Sequence, residues 1–481
     1  MVSAWAQEEM GGADFGDKRL DKRAAVVLSA LGDRPQLSIP AACGGHAEMH
    51  AAYRFFANQK VTFEQTLAPH VERTLQRMAE QGVVLLVQDT TEIDLTRPAQ
   101  QVAGVGELDR ARRGVLVHPL HAFTPQGVPL GTVWAECLNR PEGVWRAPAS
   151  EKRRRRQQKP IEQKESMRWI QGLRRAREVA GELPQVHCIC LADSEADLYE
   201  WFAEPRGESP GRVDWLVRAA HDRLVQTAPD RPPEHLREQL LATPALYQAT
   251  LPIRRRQAKV GRERRGRRRD RRCRLAQVEV RAMTVTLRPP PRPDRTLPPI
   301  TVNVVQVHEP HPPAGEPAVE WLLVTTLPID TPEQVRQIVE YYCVRWSIEI
   351  LFRTLKSGCR IERRRFEHVE RIWPCLGLFL IVAWRTLFAC RTGRACPEAN
   401  CEMVFAPAEW KATWTATHSR RLPRKPPRLR EMVHLVARLG GYVERPASEP
   451  GPQTVWIGLQ RMYDLAWAWQ SFGPEVRIRG P

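Results

Sequence analysis

The stretch YCVRWSIEILFRTLK, Tyr342 to Lys356, carries a phenol at Tyr342, cations at Arg345 and Lys356, and a single carboxylate at Glu349. At about 100° of rotation per helical residue these four side chains fall at roughly 0°, −60°, −40° and −20°, on one narrow helix face. Two readings fit such a face. It is a solvated surface on which opposite charges three and four residues apart pair at about 0.2–0.5 kcal/mol each, or it holds a carboxylate among groups that bind polyanions. The start signal Asp330, Thr331 and Pro332 opens the helix, and Gly358 closes it.

Charge favours the second reading. The 481 residues include 73 Lys and Arg against 55 Asp and Glu, a formal net charge of +18, and 42% are hydrophobic. That length and composition suit two or three globular domains, and the positive excess suits a polyanionic partner, with nucleic acid first. No signal peptide, lipidation motif or apolar run of eighteen residues is read from the sequence, so the expected location is the cytoplasm, with nucleoid association on DNA. Eleven scattered cysteines fit reduced thiols better than a disulfide framework. Cys188 and Cys190 alternate within VHCICLAD and share a strand face, Cys396 and Cys401 lack structural-zinc spacing, and His118 and His121 read as core or surface residues.

Working outward, FGDKRLDKRAAVVLSAL and HAEMHAAYRFFAN read as helices of a small N-terminal module, with Arg19, Lys22 and Arg23 on the first either as a DNA footprint or as a solvated face. GVVLLVQDTTEIDL is a short apolar run that suits a buried strand ending at Asp89. VLVHPLHAF and VPLGTVWAE alternate around a Pro-Gln-Gly turn as an antiparallel hairpin. The basic linker EKRRRRQQKP leads into a helix over IEQKESMRWIQGLRRAREVA. VHCICLADSEADLYEWF then gives a second buried strand with Asp193 just past it, and VDWLVRAA a third. This order describes a mixed α/β sheet with Asp89 and Asp193 at strand ends.

From about 222 to 320 the sequence becomes rich in proline turns and alternating segments, and RRRQAKVGRERRGRRRDRRCR lies among them. It reads as a β-rich insertion whose arginines either meet phosphate or form a solvated charge block. WPCLGLFLIVAWRTLFAC is expected to be a core helix or subunit contact. LREMVHLVARLGGYVE and TVWIGLQRMYDLAWAWQSFG complete the chain as helices. Phosphodiester cleavage by two divalent ions needs hard oxygen ligands, which Asp89, Asp193 and Glu349 supply. Glu92, Asp94, Glu195 and Asp197 compete for that role but read better as capping and surface residues.

QDTTEIDL around Asp89, LADSEADLYEWF around Asp193 and the Tyr342, Arg345, Glu349, Lys356 spacing together resemble the DDE transposases of the insertion-sequence-four family. FGDKRLDKR, AYRFFANQKVT and VARLGGYVE extend the likeness towards both ends of the chain. The resemblance implies an α/β fold with an RNase H-like catalytic core and a β-rich insertion, flanked by a helical N-terminal DNA-binding domain and a helical C-terminal dimerisation domain. The corresponding ranges are 1–70, 71–395 and 396–481.

It also implies cut-and-paste transposition: binding of inverted-repeat transposon ends, Mg²⁺-dependent cleavage through a hairpin intermediate, and joining of 3′ ends to target DNA by a homodimer. Asp89, Asp193 and Glu349 match the family's catalytic metal ligands for two Mg²⁺ ions, with Mn²⁺ as a substitute. Tyr342, Arg345 and Lys356 match its phosphate-gripping positions. Trp321 and Trp346 match tryptophans that hold a flipped base, although Trp321 in VEWLLVTT also reads as a buried strand aromatic. Two other readings stay open, an RNase H-like metal-dependent nuclease and a DNA-binding derivative without catalysis.

Overall fold

The computed structural model describes residues 2–97, 101–143, 150–151, 159–226, 232, 234–253, 273–292, 295–418, 421–445 and 448–474. The N-terminal module opens with α1 (Ala4–Glu9), α2 (Lys18–Asp33), α3 (Ile39–Cys43), α4 (His46–Phe56) and α5 (Phe63–Ala79). α2 starts where its sequence signal places it, because the Asp17 side chain accepts the Arg19 N–H and caps the free first turn. On α2, Arg19 pairs with Asp17 at 3.0 Å and Arg23 with Glu48 at 2.6 Å. Arg19, Lys22 and Arg23 line an open groove of about 710 Å³ that Asp464 and Trp467 also line.

β1 (Val83–Gln88) and β2 (Thr91–Asp94) follow, then the expected hairpin of β3 (Gly114–Phe123) and β4 (Pro129–Leu138). β2 and β4 both pair antiparallel with β3, all ten of whose residues are buried. At the hairpin turn Gly127 has φ +79°, a conformation that glycine adopts without strain. Buried His70 joins three of these elements, since its Nδ1 meets Glu9 of α1 at 2.6 Å and its Nε2 accepts the Thr132 N–H of β4 at 3.1 Å. His118 and His121 are fully buried and bonded to Thr90 and Thr132, which agrees with their reading as core residues.

The middle of the chain forms α6 (Met167–Glu182), β5 (His187–Ala192), α7 (Tyr199–Phe202) and β6 (Asp214–Arg218), followed by β7 (Leu224–Val225), β8 (Glu234–His235), α8 (Leu236–Ala242), β9 (Tyr247–Ile253), β10 (Arg274–Leu287), β11 (Ile300–His308) and β12 (Glu320–Thr325). The sheet runs β1-β5-β6-β12-β11-β10-β7-β8, with β9 also paired to β10. β5 and β6 are parallel, and β12 is antiparallel to both β6 and β11. The apolar run HCICLA makes β5 a buried strand, with Cys188 and Cys190 both inaccessible.

The segment 222–320 is β-rich as expected. Its arginine run lies outside the described residues up to Arg272, and the strands flanking it pair antiparallel with Ile253 opposite Arg274. Arg274 itself is bound to the buried Glu309 carboxylate. The basic linker at 152–158 also lies outside the described residues.

α9 (Pro332–Val344) begins at the predicted signal, with a reciprocal capping box between Thr331 and Gln334. The single helix expected through to Gly358 is not what forms. α9 ends at a tightened turn, where Arg345 N–H reaches the Tyr342 carbonyl three residues back, and α10 (Ser347–Arg353) starts anew. α10 then widens into a π-helical turn, Thr354–Gly358, closed by the Cys359 N–H on the Thr354 carbonyl at 2.8 Å. The four-residue stripe therefore spans three helical pieces, and the single-face geometry of an unbroken α-helix does not apply.

α11 (Val369–Ala395), α12 (Pro407–Thr417), α13 (Leu429–Leu439) and α14 (Pro452–Phe472) complete the chain. α11 is longer and more apolar than the sequence reading allowed, enough by length and composition to cross a membrane, yet 89% of its most apolar window is buried inside the protein. It is a core helix. α13 and α14 meet backbone to backbone at Gly458, where a Cβ would stand 1.8 Å from the Val436 carbonyl oxygen. All eleven cysteines are free thiols.

By internal packing the chain divides into two compact units, Met1–Val84 with Asp89–Glu151 and Trp346–Pro481, and Leu85–Gln88 with Lys152–Arg345. α5 runs through residue 70, and α11 ends beside residue 396, the two boundaries expected from sequence.

Candidate active site

Asp89, Glu349, Lys356 and Trp346 belong to the first unit, and Asp193, Tyr342, Arg345 and Trp321 to the second. Each unit builds its own share of the candidate residues.

In the first unit Asp89 follows directly on β1 and is half-buried, and its Oδ1 accepts the Thr90 N–H at 2.7 Å. Glu349 is exposed on the first turn of α10, Trp346 caps that helix half-buried, and Lys356 sits half-buried in the π turn. The Cβ of any residue other than glycine at 358 would meet the Trp456 ring at 3.0 Å, so the π turn packs closely on α14. The competing acids are engaged elsewhere: Arg112 binds Glu92 at 2.6 Å, Asp94 at 3.4 Å and Asp109 at 2.8 Å. Asp94 also accepts the Thr96 N–H.

In the second unit β5 delivers Asp193 to a 3₁₀ turn, Ser194–Ala196, which its Oδ1 caps by accepting the Glu195 N–H at 2.7 Å. The turn is tied down on three sides. Arg168 binds Glu195 at 3.0 Å, and Arg218 at the end of β6 donates to Ser194 Oγ at 3.1 Å. The buried Asp197 accepts the N–H groups of Ala220 and His221 at 2.7 and 2.8 Å and Nε of Arg223 at 3.1 Å. Glu195 is exposed and bound to Arg168, whereas Asp197, read from sequence as a capping or surface residue, is 3% exposed and belongs to the core.

Tyr342 and Arg345 are 1% and 5% exposed. The Tyr342 ring stands edge-on to half-buried Trp321, centroids 5.5 Å apart, and the Arg345 guanidinium lies 5.7 Å from the ring. Burial raises the Tyr342 phenol above its ordinary pKa, and the positive charges of Arg345 and Arg218 partly oppose that while Asp193 reinforces it. Its hydroxyl is buried, and the Arg345 side chain, which also acts on it as a hydrogen-bond donor, works against the rise. The charges of Arg345, Arg218 and Asp193 thus all act on Tyr342. Arg218, Arg168 and the Asp197–Arg223 pair escaped the sequence reading; the only signal for Arg218 was its position at the end of a buried strand.

Among the described residues no group of three His, Cys, Asp or Glu side chains stands together as a metal-holding cluster. The fit of a metal rests on donor chemistry alone: Asp89, Asp193 and Glu349 each offer carboxylate oxygens, the donor type that suits a hard divalent ion.

Three family models match the chain in succession. Residues 2–61 match a transposase DNA-binding family, 168–381 a transposase DDE domain, and 381–467 a transposase Tn5 dimerisation domain. The chain belongs to the Tn5-like DDE transposases. This transposase has a DNA-binding N-terminal domain, a central mixed α/β DDE domain with a large mixed sheet, and a helical C-terminal dimerisation domain, and its partners are DNA and a second copy of itself. DDE transposase domains work with divalent metal ions and support nuclease and transposition activity. The central match spans Asp193, Trp321, Tyr342, Arg345, Trp346, Glu349 and Lys356, whereas Asp89 precedes it.

Proposed function

We propose that this transposase moves its element by cut-and-paste transposition, with Asp89, Asp193 and Glu349 as the catalytic carboxylates. The observation that carries the reading is one DDE-domain match, 168–381, that includes both the Asp193 motif and the Tyr342, Arg345, Glu349, Lys356 spacing. Two divalent ions held by these carboxylates, Mg²⁺ with Mn²⁺ as a substitute, would supply the Lewis acidity that activates an attacking oxygen and stabilises a leaving one. Lys356 holds a phosphate next to the scissile bond, Tyr342 and Arg345, 1% and 5% exposed in the DNA-free chain, join it once DNA binding uncovers them, and Trp321 and Trp346 stack on a flipped base to offset its unstacking by a few kcal/mol.

At each inverted-repeat end, water attacks the phosphorus and frees a 3′-hydroxyl. That hydroxyl attacks the opposite strand, forming a hairpin on the transposon end and releasing the flanking DNA. A second water opens the hairpin, and the regenerated 3′-hydroxyl attacks target DNA, displacing a 3′-oxygen of the target strand. The homodimer performs this on both ends, in the bacterial cytoplasm and in association with the nucleoid.

The test is Asp89→Ala assayed on DNA bearing the inverted repeats that flank the coding region. Binding of the ends is expected to persist while nicking in Mg²⁺ is lost. Nicking at the wild-type rate overturns the assignment, and the absence of strand-transfer products from the wild type favours the stand-alone nuclease instead.

A further inference from the structure

α4 opens with the sequence HAEMH, which sets His46 and His50 four residues apart on one helix face, both exposed to solvent. Their Nε2 atoms stand 3.0 Å apart, and the rings meet at 68° with centroids 4.3 Å apart. Two imidazole nitrogens on successive helical turns form the pair of donors that a transition metal takes from a helix.

Distance selects the ion. With metal–nitrogen bonds of about 2.05 Å, donors 3.0 Å apart subtend about 94° at the metal. A tetrahedral ion needs about 3.3 Å between the same donors, so when an ion displaces the hydrogen bond that now joins the two rings, one that accepts near-right angles asks for the smaller movement of the pair. We infer that His46 and His50 form a two-point chelating site for a borderline divalent cation, Ni²⁺ or Co²⁺ in preference to Zn²⁺.

The nearby acid does not supply a third protein ligand. Glu48, between the two histidines, is bound to Arg23 at 2.6 Å, and no group of three metal-binding side chains occurs among the described residues. The ion keeps its remaining positions for water or another oxygen ligand. This site is chemically separate from the carboxylates of the DDE domain, because imidazole selects borderline ions whereas all-oxygen sets select Mg²⁺. It also lies in the stretch 2–61 that matches the transposase DNA-binding family, so an ion there adds positive charge to the DNA-binding domain.

The experiment titrates Ni²⁺ and Zn²⁺ into the full-length protein in Mg²⁺ buffer by calorimetry, alongside His46→Ala, His50→Ala and the double variant His50→Ala with Ala47→His. The last keeps two histidines on the turn but sets them on adjacent residues that do not face each other. The wild type is expected to bind one Ni²⁺ that each variant binds on the order of a hundredfold more weakly, since loss of one donor removes the chelate advantage. Because both histidines are exposed, melting without added metal should be the same for all four proteins. Equal Ni²⁺ affinity in the rearranged variant, or in either single variant, overturns the inference, as does Zn²⁺ binding tighter than Ni²⁺ at the site the variants remove.

Discussion

Replacing Asp197 should injure cleavage through the turn that carries Asp193, without touching the reacting groups. The Asp197 carboxylate is fully buried and holds Arg223, 11% exposed at its side chain, along with two backbone N–H groups from the segment after β6. Arg223 lies 5.1 Å over the Phe202 ring, so it cannot swing out without giving up that packing. Breaking a buried ion pair by removing one partner costs about 3–5 kcal/mol. Ala220 and His221 are exposed enough for water to replace the lost acceptor, which sets Asp197→Ala at the lower end, about 3 kcal/mol.

For a unit of this size that loss lowers the melting midpoint by about 6–12 °C. The 3₁₀ turn then loses its anchor, and a displacement of Asp193 by about 1 Å is enough to slow the chemistry on the order of a hundredfold. The assay pairs thermal melting with single-turnover nicking of end DNA, run well below the variant's midpoint. Asp197→Ala with Arg223→Met should cost less than the sum of the single changes, because no buried charge is left without its partner. An unchanged midpoint in Asp197→Ala, or strictly additive losses in the pair, would refute the anchoring role.

Asp33 carries a pH prediction. Burial first, and the Glu409 charge second, push its carboxyl up to about 7. The folded form therefore keeps a proton that the unfolded chain releases near its ordinary value of 3.8, so the protein loses stability as pH rises from about 4 to 7 and levels off above that. Asp33→Asn should flatten this slope and raise stability above pH 7 on the order of 2 kcal/mol, part of the carboxyl being solvated; melting curves at pH 5 to 8 check it, and an unchanged slope counts against it. Lys356→Ala should weaken end binding and reduce the slope of log K against log salt by about 0.9, one phosphate contact's worth; a salt titration by fluorescence anisotropy measures this, and an unaltered slope removes Lys356 from the phosphate-holding set. Gly458→Ala should force α13 and α14 apart, since its Cβ would meet the Val436 carbonyl oxygen at 1.8 Å. Sedimentation of the complex with end DNA should then show loss of the dimer, and a full dimer there would show that the backbone yields.

Much of the fold is legible because buried strands advertise themselves as continuous apolar runs. VVLLVQ and HCICLA each read as a strand ending just before an aspartate, and both form with five of six residues buried. β2 escaped because TEID is four residues long with two acids, too short for alternation to register. The Asp197–Arg223 and Arg168–Glu195 pairs join residues 26 and 27 apart, and no local pattern records which distant charge a carboxylate will meet. α12 carries a start signal in its sequence, Pro407 at its first turn with Glu409 bonded back to the Ala406 N–H.

The break after Val344 is a different case. Arg345 and Trp346 keep right-handed helical dihedrals, φ −48° and ψ −34°, then φ −65° and ψ −12°, and neither is glycine or proline, so no sequence punctuation marks it. The tightened turn there advances the side chains by more than 100° per residue, and the π turn at 354–358 advances them by less. The two departures act in opposite senses on the phase between Tyr342 and Lys356. Helical phase consequently says little about whether the four side chains share a face. The weight of the stripe rests on the order and spacing of its residue types, in which Glu349 stands four residues after Arg345 and seven after Tyr342, and on Tyr342, which the fold buries beside Arg345 and under the charge of Asp193.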